Sequence, residues 1–231
     1  IKQAMNADPT LINQDPFVMD VLAISGGGAF GAFSVGILQG WKKAGTLPKF
    51  KLVTGISTGA LVAPLAFLAP YYDREMVEIY TQHSTKDIAI RRSIFTILHG
   101  SDSIAETTPL ARNIKRIVDD AFLQRVAREH SKGRRLFIGT TNLDARKLVV
   151  WNMGAIASSH NPHKLELFRK VILASAAIPV AFPPVYIHSK VGGKTYDEMH
   201  VDGGVSVEVF LYEYMINVEA AFRNLGLNKR L

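Results

Sequence analysis

The sequence predicts an α/β protein: a mostly parallel central sheet with helices on both faces. Three observations carry this. "DVLAI" (20–24) and "FKLVTGI" (50–56) are short β-branched, apolar runs. Each passes at once into a helical segment, "GAFSVGILQGWKKAG" (31–45) and "STGALVAPLAFLA" (57–69). Further along, the strand runs "RLFIGTTNLDA" (135–145) and "KLVVWNMG" (147–154) lie between two more helical stretches. Strands that alternate with helices pair in parallel, with the helices laid over the sheet.

The elements follow in order. In 31–45, Val35, Leu38 and Trp41 recur at three-residue steps and Gly45 is the stop. "DREMVEIYTQH" (73–83) is an amphipathic helix after Pro70. The region 107–133 is the clearest helical one, with Thr108 as cap, Pro109 at the first helical position and Gly133 as its end. "PHKLELFRKVILASAA" (162–177) is a helix stopped before Pro179. "PPVYI" (183–187) and "MHVDGGVSVEVFLY" (199–212) complete the β content, and a helix-like run follows Tyr212. Residues 1–19 read as a weakly patterned leader and 20–231 as one domain.

At 231 residues and 48% hydrophobic the chain is long enough for a sizeable core. Its net charge of +7 suits an anionic surface but names no partner. With no cysteine, structural disulfides and thiolate zinc sites are excluded. The longest apolar stretch, "ALVAPLAFLA", is interrupted by Pro64 and falls short of the ~20 residues of a membrane-spanning helix. No signal peptide is visible. The chain starts at Ile1 rather than Met, which leaves cell-envelope and secreted locations open.

Two motifs compete for the chemistry. Gly26, Gly28 and Gly31 satisfy G-x-G-x-x-G between a strand and a helix, as a dinucleotide site requires. That fingerprint wants an acid about 20 positions on. Residues 44–58 offer none, although Lys49 and Lys51 are placed to meet a ribose phosphate. There is no Walker-type phosphate loop. The second motif is Gly55-Ile56-Ser57-Thr58-Gly59, a G-x-S-x-G pattern with β-branched residues before it and small apolar ones after. That context is the strand–turn–helix elbow that exposes a nucleophilic serine, though Ser57 as an ordinary helix cap fits the same residues.

A serine needs a base. None of the seven histidines has a distinctive setting, and none follows Asp202, so a hydrolase triad would have to use an earlier acid such as Asp144 with His188. Asp202 itself ends a β-type run directly before Gly203-Gly204, either as an accessible carboxylate or as a hairpin turn.

"GGGAFG", "GISTG" and "DGG" occur in that order, with "IGTTNLD" and "ASAAIPVAFPPV" around them. Over residues 20–212 this set resembles the patatin-like phospholipases. The resemblance implies that family's three-layer α/β sandwich and hydrolysis of fatty-acyl esters of phospholipids or lysophospholipids. It implies Ser57 as nucleophile, Asp202 as proton acceptor and the backbone N–H groups of Gly26, Gly27 and Gly28 as oxyanion donors. Gly31, Gly55, Gly59, Gly203 and Gly204 are the motif glycines. No metal or cofactor is implied, the partners are acyl lipid and a transient membrane surface, and nucleic acid is not among them. The family often has a basic residue where this chain has Phe30, so side-chain help to an oxyanion is not expected there. Arg125, Arg128 and Lys132 share one helical face, which fits either anionic lipid or plain solvent. "IPVAFPPVY" is either an apolar rim or a packed loop. A Ser-His-Asp esterase, an NADP-binding protein and a lipid-binding scaffold without activity are the alternatives.

Overall fold

The computed structural model describes residues 19–81 and 109–212. Most of the leader, Thr108 as a cap, the end of the helix past Thr81 and the helical run after Tyr212 lie outside them.

The first part alternates as expected. Strand β1 (Val21–Ile24) leads through a 3₁₀ turn (Gly28–Phe30) into helix α1 (Gly31–Lys43). Strand β2 (Leu52–Ile56) leads into α2 (Thr58–Phe67), and α3 (Asp73–Thr81) follows. After α4 (Pro109–Ile117) and α5 (Asp120–Ser131) come β3 (Arg135–Asn142), β4 (Lys147–Asn152) and α6 (Met153–Ser158). Helix α7 (Lys164–Ser175) precedes the hairpin of β5 (Val185–Val191) and β6 (Lys194–Asp202).

Among the described residues six strands form one mixed sheet in the order β1-β2-β3-β6-β5, with β4 also on β3. The central strands β1, β2 and β3 are parallel, and β4, β5 and β6 run antiparallel to their neighbours. Because β4 occupies one edge of β3 over Phe137–Asn142, β2 and β6 share the other edge. Strand β2 pairs with Arg135–Gly139 and β6 with Thr140–Asn142, so their C-terminal ends abut.

The helices deliver one apolar core. Val35, Leu65, Phe67, Ile114, Phe122, Phe168 and Ile172 pack together with Val53, Leu136 and Ile138 from the strands. The alternate residues Leu52 and Ile56 are buried outside that cluster, as strand geometry requires. On their side Thr54 Oγ1 donates to Phe210 O at 2.9 Å.

Three local readings are corrected. The helix of 107–133 is broken, because Asp119 leaves helical geometry to accept the Phe122 N–H at 2.8 Å and caps α5. Residues 153–158 form a helix rather than the end of a strand, since Asn152 caps Ala155 N–H at 2.9 Å. After Asp202 the chain makes a 3₁₀ turn at Gly203–Val205, and 206–212 is irregular rather than a strand. Gly26 N and Thr54 Oγ1 take two of that segment's carbonyls in place of a ladder.

Candidate active site

Strand β2 is buried along its whole length and its ladder ends where Ile56 pairs with Gly139. At Ser57 the chain reverses into α2 with φ 55° and ψ −123°, a conformation that non-glycine residues seldom adopt. Such strain costs about 1–3 kcal/mol and persists only where the surroundings impose it. Here the flanking glycines permit it. A Cβ on Gly59 would lie 2.3 Å from Ile24 O, and one on Gly55 would lie 2.4 Å from Gly59 O. The elbow therefore closes only with both side chains absent.

The β6 register supplies the partner. Thr140, next to Gly139, pairs with Asp202. Two side chains 145 positions apart thus meet where the two strand ends abut, and Ser57 Oγ donates to Asp202 Oδ2 at 2.6 Å. The other carboxylate oxygen accepts the Gly204 N–H at 2.7 Å. Ser57 is 5% exposed and Asp202 4%. Burial pushes the Asp202 carboxyl up from its ordinary value, and the hydrogen bonds from Ser57 and Gly204 pull it only partly back. Gly203 is required because a Cβ there would sit 2.6 Å from Gly139 O.

The glycine run lies against this pair. A Cβ on Gly26 would approach Ser57 Cβ to 3.0 Å, while Gly27 (φ 135°) and Gly28 (φ 57°) take left-handed conformations open to glycine. Gly26 N–H is already used: it donates to Glu208 O at 2.9 Å. Among the described residues the N–H groups of Gly27 and Gly28 have no such acceptor. Gly31 packs under Tyr80, whose hydroxyl a Cβ would approach to 2.1 Å. Phe30 is 81% exposed and contributes no cation.

Ser57 opens onto a cavity of about 250 Å³ walled mainly by apolar residues, among them Leu61, Leu65, Ile114, Ile117, Phe122 and Ile172. Ile178, Ala181 and Phe182 of the proline-rich stretch also line it, which makes that stretch part of the cavity wall. Tyr80 donates to Thr58 O at 3.4 Å, and burial pushes its phenol up to about 12.

Two residues escaped the sequence reading. Ser175, fully buried at the end of α7, accepts the Ser57 N–H at 3.0 Å and donates to Gly139 O at 2.6 Å. Two residues on, Ala177 O accepts the Asp202 N–H at 3.0 Å. A polar residue on an otherwise apolar helix face was the signal available for Ser175.

The other candidates lie elsewhere. His188 pairs with Asp197 on the β5–β6 hairpin, and Asp144 accepts the Met199 N–H, so Asp144 and His188 form no triad with Ser57. The buried His200 hydrogen-bonds with Thr140 and Glu198. Lys49 pairs with Glu129 at 3.0 Å and Lys51 leads into β2, at the end of the sheet away from the glycine run. On the basic face, Arg125 stacks on Tyr71 and Lys132 pairs with Glu129, while Arg128 is exposed. Among the described residues no helix is long and apolar enough to cross a membrane.

A mixed sheet whose β2–α2 elbow opens at Ser57 on an apolar cavity places the chain in the class of α/β proteins. The family model of the patatin-like phospholipases matches residues 22–212, and the chain belongs to that family. Among solved structures, VipD from Legionella pneumophila is similar, with TM-score 0.51 and 13% identity over 84% of this chain. The match spans 47% of VipD and concerns the fold alone. No curated protein matches.

Proposed function

We propose that the protein hydrolyses fatty-acyl esters of phospholipids or lysophospholipids through Ser57 and Asp202. The observation that carries this is the 2.6 Å hydrogen bond from Ser57 Oγ to Asp202 Oδ2 at the head of an apolar cavity. Ser57 Oγ attacks the ester carbonyl as Asp202 takes its proton. The tetrahedral oxyanion is met by the N–H groups of Gly27 and Gly28, each such donor being worth about 10²–10³ in rate. Gly26 shares the cradle as a spacer, its own N–H being committed to Glu208 O. Asp202 passes its proton to the departing alcohol or lysophospholipid. Water then attacks the acyl–Ser57 ester, giving its proton to Asp202, and Ser57 is regenerated as the fatty acid leaves. The acyl chain lies in the cavity. The reaction draws on these groups alone, with no cofactor.

The substrate implies transient contact with a membrane surface. Phe30 and Phe33 are exposed on the turn and helix whose Ala29 and Ala32 line the cavity, which supports contact at that side. Fluorophosphonate labelling tests the reading. The expected adduct is on Ser57, and Ser57→Ala abolishes both the adduct and fatty-acid release from a phospholipid and lysophospholipid panel followed by mass spectrometry. Release that survives in Ser57→Ala refutes the assignment. Co-sedimentation with the same lipids as vesicles reads the contact, and absence of binding to every composition removes it.

A further inference from the structure

We infer that Ser175 is a positioning residue for Ser57, its hydroxyl spliced into the β2–β3 ladder as a spacer that sets the elbow. The inference rests on the proposed role of Ser57. At the start of this ladder Arg135 N–H donates to Lys51 O at 2.8 Å. Parallel strands repeat their bonds at even spacing, alternating direction along the pair. Carried along the observed register to Ile56 and Gly139, that pattern would have Ser57 N–H donate directly to Gly139 O.

The direct bond is replaced. Ser57 N–H donates to Ser175 Oγ at 3.0 Å, and Ser175 Oγ donates to Gly139 O at 2.6 Å. The direction is fixed, because an amide can only donate and the hydroxyl has one proton to give on. The interposed oxygen holds the Ser57 backbone off β3 while leaving neither polar group unpaired. The same turn of chain holds the partner, since Ala177 O accepts the Asp202 N–H at 3.0 Å. The end of α7 therefore fixes both backbones whose side chains meet at 2.6 Å. Removing the hydroxyl strands a buried N–H and a buried carbonyl, or lets them close on each other and draw Ser57 toward Gly139. Either outcome displaces Oγ from the carboxylate.

The test compares the full chain with Ser175→Ala on a soluble short-chain p-nitrophenyl ester, with active sites counted by fluorophosphonate titration. Expected are a kcat per titrated site lower by about 10²-fold, the scale of a 1 Å misplacement, and a KM within about twofold, since ester binding is untouched. Ser175→Thr restores the hydroxyl and most of kcat. Wild-type kcat per titrated site in Ser175→Ala, with only a lower Tm, overturns the inference. So does equal kcat in the isosteric pair Ser175→Thr and Ser175→Val, which serves as the comparison if the alanine variant does not fold. A wild-type chain that neither turns over the ester nor labels at Ser57 overturns the proposed function and the inference with it, a result distinct from failure in the Ser175 variants alone.

Discussion

In the proposed reaction Asp202 is a weak base made stronger by where it is buried, and that placement also has a stability consequence. Its folded-state pKa lies above the ordinary 3.8, with burial as the main cause and the Ser57 and Gly204 bonds opposing it. The folded state therefore holds this proton more tightly than the unfolded chain does. The carboxyl's contribution to stability is greatest below pH 3.8 and declines as pH rises through the raised folded value. At neutral pH the charged form is a burden that the active protein carries. Asp202→Asn removes the charge while its amide oxygen still accepts from Gly204. We predict that it lowers kcat by about 10²–10⁴-fold, the usual worth of a positioned base. It should also raise Tm at pH 7, a gain that shrinks in acid. The acid limb of kcat/KM in the wild type should lie above the ordinary aspartate value of 3.8. Calorimetry and a pH–rate profile check both, and an unchanged or lower Tm at pH 7 contradicts the burial argument. Ser57 and Asp202 were legible in the sequence because each sits in a local signature, a strand run meeting glycines. The commitment of Gly26 N–H to Glu208 was not, and neither was Ser175, which meets Ser57 across 118 positions. Those bonds depend on how distant segments register, which no local pattern encodes.

At the scale of elements, the elbow works because α2 starts close against β1. Gly59 is the point of contact, with Ile24 O and Ser25 O at 2.3 and 2.8 Å from where its Cβ would be. Both are backbone atoms, one in the last paired residue of β1 and one in the residue after it, and they cannot swing aside as a side chain tip would. Gly59→Ala must shift α2 away from the sheet, at about 1–3 kcal/mol of stability, and it carries Ser57 with it. A lower denaturation midpoint together with a lower kcat is expected, and an alanine variant with wild-type values for both would mean that the helix has room to spare. The parallel β1–β2–β3 core was legible from alternation of strand and helix runs, and α1 from apolar spacing. The break between α4 and α5 was hidden because Asp119 is tolerated within a helical pattern, yet wins more as the cap of the next helix. The β-branched run after Gly204 has strand propensity, yet its carbonyls at Glu208 and Phe210 accept from Gly26 N–H and Thr54 Oγ1 rather than from a ladder.

Across the whole molecule, the end of the sheet opposite Ser57 is tied by charge. Glu129 near the end of α5 meets Lys132 at 2.8 Å, Arg134 at 2.9 Å and Lys49 at 3.0 Å. Arg134 is nearly buried, donates to Phe50 O at 2.7 Å and lies over the Phe67 ring at 4.2 Å. One carboxylate thus links α5 to the approaches of β2 and β3 and, through the arginine, to α2. Burial alone would raise Glu129, but the hydrogen bonds from Lys132, Arg134 and Lys49 outweigh it and hold the carboxyl at about 2, against an ordinary 4.5. A carboxyl depressed on folding contributes stability above its unfolded value and loses it as pH falls through its folded one. Glu129→Gln keeps the shape, removes the charge and leaves Arg134 with a weaker partner. We expect a loss of about 1–3 kcal/mol at pH 7 by urea denaturation. The difference from wild type should hold down to about pH 4.5 and fade toward about pH 2, where the native carboxylate is itself protonated. Because Glu129 lies at the N-terminal ends of β2 and β3 and Ser57 at the C-terminal end of β2, kcat per folded molecule should stay at the wild-type value. A variant as stable as wild type at pH 7 would show that this network is solvated surface charge, whereas a fall in kcat at unchanged stability would mean that the far end of the sheet is coupled to the elbow.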